Sequence, residues 1–139
     1  MELSQEFPTL LERSGVRVTS CRLEVLEELA REQDDATAQE IWSRLRERGS
    51  RTGLATVYRT LALLSSAGIV DVFSHHAGEQ CYRLCSDGHH HHLVCESCHH
   101  VVEVSECDLD DWLDGVARQA GFVATGHHVE ITGLCAECR

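Results

Sequence analysis

Leu54-Ala-Thr-Val-Tyr-Arg-Thr-Leu-Ala-Leu-Leu-Ser-Ser-Ala67, then Gly68, then Ile69-Val-Asp-Val-Phe-Ser74, is the stretch whose reading decides the fold. Its first part sets Leu54, Val57, Leu61 and Leu64 on one narrow helical stripe, with Ala55, Thr56, Arg59 and Ser66 on the other side. Gly68 stops that helix, and the run after it is β-type in composition. A second such run, Gln80–Cys85, follows a turn at Ala77-Gly78-Glu79, so the helix leads into a hairpin.

Working backwards, Thr19 caps a helix from Ser20 to Arg31 that carries Leu23, Leu26 and Ala30 on one face. Asp34-Asp35-Ala36 breaks it. Thr37-Ala-Gln-Glu40 has the capping-box pattern and opens a helix with Ile41 and Leu45, ended by Gly49. Three helices followed by a hairpin make a winged helix-turn-helix, whose last helix enters a DNA major groove. A small helical bundle with a hairpin and no DNA fits the same pattern.

Working forwards, Ser86-Asp87-Gly88 reads as a hinge. Leu93–Cys95 and Val101–Val104 read as short strands, and Asp108 as the cap of a helix. On that helix Leu109, Trp112, Leu113, Val116, Ala117 and Ala120 recur at i, i+3, i+4 spacing. Phe122–Leu134 reads as one or two strands. The expected class is α+β: a winged helix-turn-helix over 1–85, a hinge with metal ligands over 86–93, and a small C-terminal α/β domain over 94–139. The last part, about 46 residues, is small enough to need a metal, disulfides or a partner subunit.

Charge and composition narrow the classes further. The formal net charge is −11, which at first sight argues against nucleic acid. Residues 1–70 hold nine Arg against eleven acidic residues, and residues 71–139 hold three against twelve. The acid is thus concentrated in the half with most metal-ligand candidates, where bound cations offset it. All basic residues are Arg. No run approaches the roughly 18 apolar residues of a membrane span. The first residues, Met1 to Phe7, are acidic and lack an apolar signal core, so a cytoplasmic protein is expected.

In a reducing cytoplasm, eight cysteines point to metal ligation or redox chemistry rather than disulfides. Cys95-Glu-Ser-Cys98 and Cys135-Ala-Glu-Cys138 each hold two thiols at the bite that grips a tetrahedral ion, and two such pairs complete a closed Cys₄ structural zinc site. Cys95-x-x-Cys98-His99 also matches c-type haem attachment, which requires export and leaves the second pair unexplained. A thioredoxin-like pair requires a βαβ context that is absent. In an extended His89-His90-His91-His92, alternate side chains face opposite ways, so one tetrapeptide feeds two metal sites. A solvated polar hinge is the plain alternative. His75, His76 and His100 read as exposed loop residues, and Cys21, Cys81 and Cys107 as small core or surface residues. There is no catalytic motif, so no enzyme and no small-molecule substrate are expected.

Arg17-Val-Thr19-x-x-Arg22-x-x-Val25-Leu26, Gly53-Leu-Ala-Thr-Val-Tyr-Arg-Thr-Leu61, the four histidines running into Leu-Val-Cys-x-x-Cys98, and the terminal Cys135-x-x-Cys138 together resemble the ferric uptake regulator family. The nearest branch is its zinc uptake regulators. The resemblance implies a dimeric repressor of double-stranded operator DNA, with an N-terminal winged helix and a C-terminal dimerisation domain. It places the hinge sensor site on Asp71, Cys85, His90 and His92, and a second regulatory site on His89, His91, Asp110 and His127. Choosing His127 over the adjacent His128 rests on the resemblance alone. Related proteins often carry Glu where Asp110 stands, and Gly where His99 follows the first cysteine pair.

A thiolate, two imidazoles and a carboxylate suit zinc, whereas iron or manganese sensors use mainly N and O ligands, so Cys85 discriminates. Two or three Zn²⁺ per chain are expected. In the family the Tyr-Arg pair touches bases, here Tyr58-Arg59. Thr52, Ala55 and Thr56 are further candidates to reach the groove, and Arg13, Arg17 and Arg51 to reach phosphate or the minor groove. The alternatives are an iron-, nickel- or peroxide-responsive member of the same family, or a zinc-stapled enzyme.

Overall fold

A helix that the periodicity did not announce opens the chain: α1, Glu2–Arg13, with Pro8 inside it. Phe7 and Leu11, at i and i+4, are buried in the core, and this packing offsets the backbone bond that Pro8 cannot donate. The computed structural model describes residues 2–31, 35–74, 78–85 and 89–139. Asp34, His75, His76, Ala77 and the hinge Ser86-Asp87-Gly88 lie outside the described residues.

The two threonine caps form. Leu23 N and Arg22 N bond to Thr19, at its carbonyl and its Oγ1 respectively, at the start of α2 (Ser20–Arg31). After a two-residue strand β1 (Ala36–Thr37), Thr37 Oγ1 accepts from Glu40 N at 3.1 Å and starts α3 (Ala38–Glu47). The helix α4 (Leu54–Ser66) buries Val57, Thr60, Leu61 and Leu64, and Gly68 at φ 78° turns the chain out of it. Strands β2 (Val70–Ser74) and β3 (Gln80–Leu84) then pair antiparallel, with Val72 opposite Tyr82. Strand β1 adds to the free edge of β3, giving the order β1-β3-β2. Four helices and this sheet enclose a core centred on Leu11, Val25, Leu26, Ile41, Leu61 and Leu64. These elements lie in the first of two compact units, Met1–Asp87; the second is Gly88–Arg139.

In the second unit, β4 (His91–Cys95) is the central strand. It pairs antiparallel with β5 (Val101–Val104) and parallel with β6 (Glu130–Gly133). The strand therefore begins inside the stretch assigned to the hinge. Helix α5 covers Asp110–Gln119, and its N-cap is Leu109 with no side-chain cap bond, so Asp108 does not cap it. Between Phe122 and Leu134 only β6 is regular strand. Leu93 faces Val102 on one side and Ile131 on the other, and all three side chains are exposed. Helix α5 buries no residue, and Trp112 is 65% exposed. The amphipathic stripe thus exists without a covering partner inside this unit.

Candidate metal centres

The two cysteine pairs meet because β4 and β6 run parallel in register, with Cys95 opposite Gly133. Each pair follows the C-terminal end of its strand, so both arrive at the same end of the sheet. The four sulfurs of Cys95, Cys98, Cys135 and Cys138 lie within 4.8 Å of one another, and Cys98 Sγ is 3.7 Å from Cys135 Sγ. A tetrahedron with metal–sulfur bonds of about 2.3 Å has an edge of about 3.8 Å, which the Cys98–Cys135 separation matches. The N–H of Cys98, then that of Cys135, holds the Cys95 thiol down to about 6. The His100 N–H pulls the Cys98 thiol down, but hydrogen bonding with Cys95, burial, and hydrogen bonding with Cys135 and Cys138 together push it up to about 12. At least one sulfur is thus ready as thiolate. The turn inside the first pair closes through His99 N to Cys95 O at 3.0 Å, and requires φ 65° at His99. A Gly would enter that region without strain.

The histidine run divides by alternation. His90 and His92 stack edge to face, with ring centroids 4.8 Å apart. Glu103 lies directly opposite His92 on β5, and the donor atoms of these three residues are within 4.8 Å of one another. Asp71, on β2, and Cys85, just after β3, belong to the first unit. Cys85 Sγ lies 3.3 Å from the Gly68 carbonyl oxygen.

His89 and His91 turn the other way and meet His127 from the loop before β6. The three Nε2 atoms form a triangle with sides of 3.1, 3.0 and 3.2 Å. A neutral imidazole nitrogen is either a donor or an acceptor, never both, so no arrangement of protons satisfies all three sides. A cation at the centre does. Burial, then the neighbouring imidazoles of His89 and His127, holds His91 below its usual range, which keeps its lone pair available. The fourth member of the group is Cys107, with Sγ 3.1 Å from His91 Nε2 and 3.2 Å from His127 Nε2. The expected fourth member, Asp110, is outside the group: its Oδ1 lies 3.6 Å from His127 Nδ1, the nitrogen that points away from the other histidines. His128 is exposed, on the His92 side.

Sequence reasoning missed Glu103 and Cys107. The first is invisible without the β4–β5 register. The second carried one signal, a thiol three residues before a carboxylate already assigned to the site. Cys81 is a buried residue whose thiol is pushed up to about 12 by burial and then by Asp35, Glu79 and Glu40, and Cys21 sits 3.3 Å from Thr52 Oγ1.

On the DNA-facing candidates the structure separates exposed from committed side chains. Tyr58 is 46% exposed, and Arg59 is exposed with one guanidinium nitrogen 3.2 Å from Thr56 Oγ1. Arg13, Arg17 and Arg51 are exposed, as is Ala55. Thr52 is not available in this way: it is 9% exposed, and its hydroxyl donates to Glu24 Oε2 at 3.0 Å. Helix α4 begins at Gly53 with no side-chain cap, which leaves its first N–H groups open to an anion.

The Ferric uptake regulator family model matches residues 13–132. A zinc uptake regulation protein of Mycobacterium tuberculosis is 43% identical over 126 residues, spanning 91% of this chain and 97% of that one. The ferric uptake regulation protein of Escherichia coli K12 is 36% identical over 135 residues, spanning 94% and 90%. Among solved structures, the Vibrio cholerae ferric uptake regulator, described for a rearrangement of its DNA-binding domains, superposes with a TM-score of 0.66 at 33% identity, covering 93% of this chain and 99% of that one.

Proposed function

Since the chain belongs to the ferric uptake regulator family of metal-responsive regulators, we propose that it is a zinc-sensing transcriptional repressor. It binds palindromic operator DNA as a metal-loaded homodimer and controls zinc-uptake genes. The observation that carries the zinc reading is the donor chemistry. Two groups in the second unit bring thiols together, four in one and one with three imidazoles in the other, and sulfur with imidazole favours zinc over iron or manganese. The 43% identity to a zinc uptake regulation protein over nearly the whole chain supports it.

Tyr58 and Arg59 project from α4 to read bases, while Arg51, Arg17, Arg13 and the uncapped start of α4 take phosphates. Thr56 sits beside Arg59 and steadies its guanidinium. The exposed row Val102–Leu93–Ile131 and the apolar face of α5 support dimerisation. The sensor ligands are drawn from both units, Asp71 and Cys85 from the first, His90 and His92 from the second. Zinc bound by them supplies a cross-link that fixes two recognition helices at operator spacing. By linkage, operator DNA then tightens the grip of these residues on the metal.

One observation favours a second reading, an iron-responsive member. His90, His92 and Glu103 offer only nitrogen and oxygen. Metal analysis of the purified protein, combined with operator gel shifts with and without a chelator, tests both. Two or three zinc ions per chain, with DNA binding lost as the weaker ones leave, is the expected result. One zinc per chain with chelator-insensitive DNA binding overturns the sensing mechanism, and restoration by iron but not zinc selects the second reading.

A further inference from the structure

We propose that Cys107 is a metal ligand, and that the second regulatory site is a His₃Cys site made by His89, His91, His127 and Cys107, with Asp110 outside it. The inference rests on the reading of this site as metal-binding and replaces its carboxylate with a thiolate. A tetrahedral ligand set has six donor–donor edges. Five of them are 3.0–3.2 Å: three between Nε2 atoms and two from Cys107 Sγ to His91 and His127. The remaining edge, Cys107 to His89, is within 4.8 Å. Zinc bonds of about 2.0–2.1 Å to nitrogen and about 2.3 Å to sulfur require edges of about 3.3–3.6 Å. The group reaches this by opening a few tenths of an ångström.

The geometry also gives Asp110 a role. It stands in the first turn of α5 and approaches His127 from the Nδ1 side, opposite the nitrogen in the group. At 3.6 Å the contact is longer than a hydrogen bond, and a small approach of the carboxylate would let it accept the Nδ1–H and favour the tautomer that presents Nε2 to the metal. The Glu that often occupies this place in relatives has one more methylene with which to reach past the ring. With the shorter Asp here, Cys107 fills the fourth corner from the segment between β5 and α5. Net ligand charge is unchanged at minus one, but the donor is soft, so the site prefers zinc or cobalt to iron or manganese. Asp110 is a positioning residue.

Cobalt(II) is the probe. The full chain carries Cys85→Ser and His90→Ala to remove the sensor donors, and keeps zinc in its four-cysteine site, verified by elemental analysis. Titration should then add one cobalt per chain, with the intense visible bands of a tetrahedral ion and a near-ultraviolet sulfur-to-cobalt charge-transfer band of one thiolate. Adding Cys107→Ser should abolish that band and weaken binding by a factor of about 100 or more. Adding Asp110→Asn should keep the band and weaken binding by about 10–100-fold. Cobalt should also protect Cys107 from iodoacetamide, a readout that needs no substitution at the site.

A parent spectrum without the sulfur band, or binding that survives Cys107→Ser and is lost with Asp110→Asn, overturns the proposal. No cobalt uptake at all overturns it together with the reading of this site as metal-binding. The zinc-repressor reading is judged separately, by the gel shift.

Discussion

Removing the ion from the Cys95, Cys98, Cys135 and Cys138 site should unfold the second unit and leave the first intact. The reason is the contrast in their cores. The first unit closes a continuous cluster from Phe7 to Tyr82. In the second, the buried apolar residues are Val94, Cys95 and Val101, helix α5 buries none, and β6 is exposed throughout. What ties β6 and the C-terminal turn to β4, apart from ladder hydrogen bonds, is the pair of CxxC turns. Structural zinc in small peptides contributes about 10–16 kcal/mol, while a whole domain is stable by about 5–15 kcal/mol. The four sulfurs are already gathered within 4.8 Å of one another, so little of the binding energy is spent on bringing them together. A loss of even about 4 kcal/mol speeds amide exchange about a thousandfold. Hydrogen exchange with and without a strong chelator measures this directly: β4 and β6 should lose protection at least that far, and α2 and α4 should not. Cys138→Ser should do the same without chelator. If elemental analysis shows the ion gone while His92–Cys95 and Glu130–Gly133 keep their protection, the reasoning is refuted.

Four further outcomes follow from particular contacts. Glu28 is 2% exposed, with Oε2 2.7 Å from Arg48 Nε. Arg48→Ala strands that carboxylate and should cost about 2–3 kcal/mol, below the full buried-pair range because Arg48 is half exposed; calorimetry should find the first unit melting about 10 °C lower, and an unchanged melting temperature refutes this. His99→Gly relieves a left-handed backbone and should stabilise the second unit by about 0.5–1 kcal/mol in denaturant unfolding, whereas a net loss shows that the His99 side chain is itself structural. Arg59→Ala should weaken operator binding by about 1–3 kcal/mol, as measured by gel shift at fixed salt. Thr52→Val should instead lower stability by about 1–2 kcal/mol and leave intrinsic operator affinity nearly unchanged, because its hydroxyl serves Glu24. Equal effects of the two substitutions on DNA would contradict that division.

Much of the fold was legible because its signals are local. A threonine that caps its own helix, a glycine that ends one and a period-2 strand need only neighbours a few residues away, and α2, α3, α4 and both wing strands form within a residue of where the pattern places them. The same holds for the Cys₄ set, since each CxxC is a bite in itself, and for the division of the histidine run, which is the pleat of a strand. Helix α1 was not legible, because Pro8 masks its pattern and its stability comes from Phe7 and Leu11 packing into the first-unit core.

At the sites, the sequence by itself determined which chemistries are present: thiolates, imidazoles and carboxylates in numbers that suit a tetrahedral ion. Which of them meet was decided by tertiary structure alone. Glu103 comes to His92 through strand register, and Thr52 leaves the DNA-facing set because Glu24 turns it inward. Cys107 takes the place foreseen for Asp110 because the chain between β5 and α5 sets a sulfur against the Nε2 atoms and a carboxylate against Nδ1. A sequence motif fixes spacing along the chain. A metal responds to distance through space, and for donors as far apart in the chain as Cys95 and Cys138 only the fold sets that distance.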